Sequence, residues 1–244
     1  MKSISFPEVQ DFDIESLEEP LVYIGAAGFE DRAFAVLNEA KYYRKTFEHI
    51  IGIEYEPVHP RNNKERFQQL AREVISQESN IKWVSFDRKT PGEFNEALSL
   101  IRQICSQGAH ICLDISAMSK MLILVLLDAL RDINSSLTIA YTEAKVYHPS
   151  PEEFERDFEE AKQKLPKRIP EFLTSGVYGV VTTPALSSVA TQGYPTALVE
   201  FPTFNHNLFL ALLNEVTPQE LRIIEGEPLR EQNKWRLEAV RKIN

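Results

Sequence analysis

Short apolar runs alternate along this chain with longer stretches in which apolar residues return every three or four positions, the periods of strands and of helices respectively. The runs are Leu21-Val22-Tyr23-Ile24, His49-Ile50-Ile51-Gly52-Ile53, Ile81-Lys82-Trp83-Val84-Ser85-Phe86, Ala109-His110-Ile111-Cys112-Leu113 and Ser136-Leu137-Thr138-Ile139-Ala140-Tyr141. The spacing between them predicts helices over 29–40, 63–76, 91–106 and 118–130. Phe67, Leu70, Ala71 and Val74 share one face of the second helix, and Pro91 suits the first turn of the third. Five strands alternating with helices predict an α/β, Rossmann-like domain over residues 20–145, with a mostly parallel sheet and helices on both faces. Topology rules favour the strand order 3-2-1-4-5. Strands one and four are then neighbours, and the loops 25–32 and 114–120 converge at the switch point between them.

The pattern weakens on either side of this domain. Residues 1–19 are acidic and read as an N-terminal arm. Residues 146–195 read as a helical or irregular connector. Within it, 149–164 form an acidic helix expected to face solvent, and Gly176 to Val181 form a short apolar run. Residues 196–244 read as a partial second α/β repeat, because they echo the start of the first domain in order. Leu198-Val199-Glu200-Phe201 repeats Leu21-Val22-Tyr23-Ile24, and Phe209 to Val216 repeats Phe34 to Ala40. Ile224 to Pro228 repeats Glu54 to Pro57, and Asn233 to Arg236 repeats Asn63 to Arg66. The glycine turn Gly25-Ala26-Ala27-Gly28 becomes Pro202-Thr203-Phe204 in the second copy, so the polar site is expected in the first copy alone.

Composition narrows the partners. The chain has 244 residues, of which 43% are hydrophobic and 26% charged, with a net charge of -9. An acidic chain without a basic patch repels duplex DNA and anionic membranes, and neither is expected as a partner. The longest apolar run, Met121 to Leu127, is too short to span a bilayer. Two cysteines outside any Cys-x-x-Cys pair, and no apolar leader at the start, fit a cytoplasmic protein. The five histidines are isolated, so no metal site is expected. No cofactor is implied.

The candidate chemistry lies in the two converging loops. The stretch Asp114-Ile115-Ser116-Ala117-Met118-Ser119-Lys120 offers a carboxylate, two hydroxyls, an ammonium and a helix start, a set suited to a phosphate or a ribose. In its plain structural reading, Ser116 caps the helix and the rest is solvated. Gly25 and Gly28 frame the other loop. Arg32 falls in a first helical turn, where a cation opposes the dipole. Either pairing with Glu30 or Asp31, or a bound anion, accounts for it. Glu54 ends strand two where an acid can hold ribose hydroxyls, and Tyr141 ends strand five beside the Asp114 loop. The ligand-binding set is therefore Gly25, Gly28, Glu30, Arg32, Asp114, Ser116, Ser119, Lys120 and Tyr141.

The stretch 114–120 resembles the Asp-x-Thr-Gly-Gly-Thr-Lys signature of CRISPR-associated Rossmann-fold (CARF-like) sensor domains. Asp114, Ser116, Ser119 and Lys120 match, whereas Ala117 and Met118 replace the paired glycines. The resemblance implies a cyclic-oligonucleotide site after strand four at a dimer interface, and a role in antiviral defence. Three functions follow. The first is a nucleotide-binding or sensing protein of a prokaryotic defence system, working as a homodimer or with a partner protein. The second is an enzyme acting on a nucleotide or nucleoside, with Glu30 or Asp114 as acid or nucleophile. The third is a scaffold subunit whose crevice is vestigial.

Overall fold

The computed structural model describes residues 9–87, 90, 94–106, 108–163, 193–228 and 230–243. The chain divides into two compact units, Met1–Ala144 and Lys145–Asn244. The first holds β1 (Leu21–Ala26), α1 (Ala35–Tyr42), β2 (His49–Glu56), α2 (Lys64–Glu73), β3 (Ile81–Asp87), α3 (Asn95–Cys105), β4 (His110–Asp114), α4 (Lys120–Leu130) and β5 (Leu137–Ala140). Its sheet runs β3-β2-β1-β4-β5 with every pairing parallel, the expected Rossmann-like order.

β1 is central and buried at all six positions, as its unbroken apolar run requires. Leu21 and Tyr23 face one layer, with Ile50, Cys112 and the buried sides of α1 and α2. Val22 and Ile24 face the other, with Ile51, Ile53, Ile111, Leu113, Cys105 and the buried sides of α3 and α4. One buried free cysteine thus lies in each layer.

Two helices start later than their periodicity suggests. A 3-10 turn, Asp31–Phe34, precedes α1. The chain before it is held away from helix, because the Gly28 carbonyl accepts from the Asn63 amide (3.2 Å) and Phe29 stacks on His59 with ring centres 4.7 Å apart. α4 begins at Lys120 because Met118 is used in a tight turn, its amide donating to the Ile115 carbonyl at 3.1 Å.

The N-terminal arm is more than a lead-in. Ile14 and Leu17 are buried in the layer of α1 and α2, and the Leu17 amide donates to the Ile14 carbonyl across a turn. Two apolar residues three positions apart on one turn suffice to anchor an otherwise acidic segment, and so short a pattern has no visible period.

The second unit holds α5 (Pro151–Gln163), β6 (Ala197–Glu200), α6 (His206–Val216), β7 (Glu220–Ile223) and α7 (Trp235–Ile243). β6 and β7 pair in parallel through α6, so strand, helix, strand and helix follow in the order of β1 to α2. The acidic helix α5 is not simply solvent-facing. Phe154 and Ala161 are buried on one side of it, and Phe154 belongs to a cluster with Phe204, Ala239 and Ile243. Asn205 caps α6 by accepting from the Leu208 amide at 3.2 Å. The run 176–181 lies outside the described residues.

The burial of Ile14 generates a test. Ile14→Ala should cost about 2–5 kcal/mol in urea unfolding, as for a core truncation. A freely solvated arm would show a change within about 0.5 kcal/mol.

Candidate functional site

β1 and β4 lie side by side with Gly25 opposite Asp114, about 4.8 Å apart in such a sheet. The loops that leave them therefore start together at the carboxyl edge. They also touch, since a Cβ on Gly28 would stand 3.0 Å from that of Ala117. Gly28 is the position at which a side chain would force the loops apart.

Asp114 ends β4 and is only 2% exposed. Its Oδ2 accepts from the Tyr23 hydroxyl at 3.0 Å, and its Oδ1 accepts from the Ser116 amide at 3.0 Å. Burial pushes its carboxyl above the ordinary value of 3.8. The hydrogen bonds from Ser116, then that from Tyr23, and the charge of Arg32 pull the other way. Burial likewise pushes the Tyr23 phenol well up, and the adjacent Asp114 charge adds to it.

Gly25 has a packing role. It lies inside β1 on the same side as Tyr23, and a Cβ there would fall on the Tyr23 hydroxyl. The missing side chain lets the phenol run along the strand and reach Asp114.

The two hydroxyls of the loop are also engaged within the protein. Ser116 is buried, and its Oγ accepts from the Thr142 amide at 2.8 Å, which ties the loop to the segment after β5. Ser119 is the cap of α4, its Oγ accepting from the Leu122 amide at 3.3 Å. The cap is thus Ser119 and not Ser116, because only Ser119 immediately precedes the helix. The Ser119 amide donates to the Tyr55 hydroxyl at 2.5 Å. Tyr55 reaches across from β2 and takes one of the N–H groups expected for an anion.

On the facing loop, Arg32 Nε stands 2.6 Å from Glu30 Oε2. The N–H is not directed at that oxygen, and Nε has no hydrogen-bond partner, so the contact is a charge pair without a proper hydrogen bond. Asp31 is used by Arg66 at 2.7 Å. Glu54 is not free for a ribose: Lys64 donates to one of its oxygens at 2.6 Å and Asn62 to the other at 3.1 Å.

Two groups of the predicted set are exposed. Lys120 is exposed at the first position of α4 and forms no ion pair among the described residues. Tyr141 follows β5 and is 55% exposed. Phe29, stacked on His59, presents a further ring at the rim, 52% exposed. A groove of about 530 Å3 between α3 and α4, lined by Ser99, Arg102, Gln103, Ser106, Ala129, Asp132 and Ile133, contains none of the predicted site residues. It lies toward the helix ends, at the opposite edge of the sheet.

The structure thus brings Gly28, Asp114, Ser116 and Ser119 into one junction, with Arg32 and Lys120 at the ends of the same two loops and Tyr141 in the segment after β5. The sequence reading missed Tyr23 and Tyr55. Each is a tyrosine on a strand with an apolar body, and a buried phenol needs a hydrogen-bond partner. That requirement was the signal available. Among the described residues no group of three or more His, Cys, Asp or Glu is placed to hold a metal ion, and no helix is long and apolar enough to cross a membrane. The chain matches no family model, no curated protein and no solved structure.

Tyr23→Phe should destabilise the protein by about 1.5–3 kcal/mol near neutral pH, where a buried carboxylate loses a donor. The folded-state carboxyl is raised, so protons favour the folded form, and stability falls as pH rises from 3.8 through the folded-state value. Removing the Tyr23 donor raises that value further. The cost of the variant should therefore shrink on acidification, and Asp114→Asn should flatten this part of the pH profile; urea titrations at several pH values measure both. Gly25→Ala should cost about 1–3 kcal/mol by overpacking against Tyr23, read in the same titrations.

Proposed function

We propose that the first unit binds a nucleotide, or a related phosphate-bearing ligand, at the carboxyl edge of its sheet, and that it acts as a sensing module. The observation that carries this reading is Lys120. A cation in the first turn of a helix opposes the dipole, and no acidic neighbour among the described residues compensates it. An anion held there gains from the ammonium and from the helix N–H groups that neither Ser119 nor Tyr55 engages. Arg32, whose Nε lacks a directed hydrogen-bond partner, stands on the facing loop in a charge pair with Glu30 that an anion would compete for. The exposed rings of Phe29 and Tyr141 suit a stacked base. The position at the junction of β1 and β4 is the crevice that open α/β sheets use for ligands.

The resemblance of 114–120 to the CRISPR-associated sensor signature supports placing such a module in prokaryotic defence. Ala117 departs from the signature, and its Cβ fills the space against Gly28. A phosphate would therefore lie outside the loop, toward Lys120, and not pressed against its backbone. Binding is favoured over turnover because Asp114, one of the two candidate nucleophiles, is buried with both oxygens engaged.

A thermal-shift panel of mono-, di-, tri- and cyclic nucleotides should return at least one ligand that stabilises the protein without being consumed. For that nucleotide, Lys120→Ala should lose a charge-assisted contact of about 1.5–3 kcal/mol, or roughly ten- to hundredfold in affinity by calorimetry. Lys120→Glu should lose more, while stability without ligand changes by less than about 1 kcal/mol. Equal affinity in wild type and Lys120→Glu would remove the crevice from the reading. Product formation would move the protein to the enzyme class, and no shift across the panel would leave the scaffold role.

A further inference from the structure

β7 is the least protected strand among the described residues. All four of its residues are exposed, with Leu221 at 42% and Ile223 at 48%. Among the described residues its sole strand partner is β6. A sheet of two strands is marginal by itself, and an open edge invites a further strand. Natural edges are blunted by proline or by charges that repel a second strand; residues 220–223 contain no proline, and their two charges, Glu220 and Arg222, are of opposite sign.

The hydrogen-bonding pattern says which groups the edge offers. The amides of Glu220 and Ile224 donate to β6, at the carbonyls of Thr196 and Glu200. By alternation, the amides and carbonyls of Leu221 and Ile223 point to the open side. A strand added there in antiparallel sense must place residues of like orientation opposite each other. A second copy of β7 can satisfy this in three central registers. One sets Glu220 against Glu220, and another sets Arg222 against Arg222. The third sets Leu221 against Leu221 on one face and crosses Glu220 with Arg222 twice on the other. Only this third register is complementary in charge, and it is twofold symmetric, as a closed dimer requires. Glu220 and Arg222 already lie on one face, paired within the strand at 2.7 Å. On the opposite face, Leu198 stands beside Leu221 and extends the apolar strip.

We propose that two copies of this chain associate through β7, antiparallel about Leu221, joining their two-stranded sheets into one sheet of four strands. The contact is isologous and independent of the nucleotide reading. Each copy contributes Leu221 and the pair Glu220 and Arg222, and the crossed charges select the register.

Sedimentation and light scattering of the full chain over a range of concentrations should show a monomer–dimer equilibrium. Glu220→Arg alone and Arg222→Glu alone each turn two attractive pairs into two repulsive ones, so each should dimerise about tenfold or more weakly. An equimolar mixture of these two variants restores every cross-strand pair and should return to nearly the wild-type dissociation constant. The charge-swapped double variant Glu220→Arg/Arg222→Glu should also dimerise by itself. Both positions are exposed, and circular dichroism should show each variant folded like wild type. A wild type that stays monomeric, single variants that dimerise as well as wild type, or folded single variants whose mixture stays monomeric would each overturn the proposal.

Discussion

A hydrogen bond between two buried groups sets the carboxyl edge of the first unit. Tyr23 donates to Asp114 across the two central strands, the Tyr23 ring lying among buried apolar side chains. Neither group can be removed alone at low cost, since the Tyr23 hydroxyl or the Asp114 Oδ2 would be left buried without this partner. The rest of the edge is tied to this pair. Gly25 is bare so that the phenol can pass. The second oxygen of Asp114 holds the Ser116 amide, and Ser116 holds Thr142 beyond β5. Tyr55 joins β2 to the start of α4 through Ser119. Strands β2, β1, β4 and β5 are thus linked by side chains at the edge where their backbone ladder ends.

This network explains what the sequence disclosed and what it did not. The strands were legible because β1 and the middle stretches of β2 and β4 are buried on both faces and so are apolar there. The convergence of the loops followed from the strand order. The use of each polar group was not legible, because Tyr23 and Asp114 are 91 residues apart and Tyr55 and Ser119 are 64 apart. A serine that closes such a link looks the same in sequence as one that waits for a ligand. The same blindness applied at the ends of the domain. Ile14 and Leu17 bury within a single turn, and Phe154 anchors a helix whose composition advertises only its solvent side.

The second unit uses the corresponding stretch differently. Its strand, helix, strand and helix keep the order of the first, but the stretch equivalent to the glycine turn contributes Phe204. That ring is buried against Phe154 and Trp235, and the Arg236 guanidinium stands 4.4 Å above it. A turn that brings two loops together in one unit supplies a core side chain in the other. The backbone plan tolerates both uses because it depends on the flanking apolar runs and not on the turn.

The two cysteines divide between the two sides of the first sheet, Cys112 beside Tyr23 and Cys105 among the residues of α3 and α4. Burial pushes both thiols up, Cys105 to about 12. The thiolate is the reactive form, so each sulfur is silent toward alkylating reagents while its layer is closed. Local opening restores an ordinary thiol and admits the reagent. The chain therefore contains two chemical clocks, one per layer. Labelling rates at the two positions separate the breathing of α1 and α2 from that of α3 and α4, without a probe being introduced.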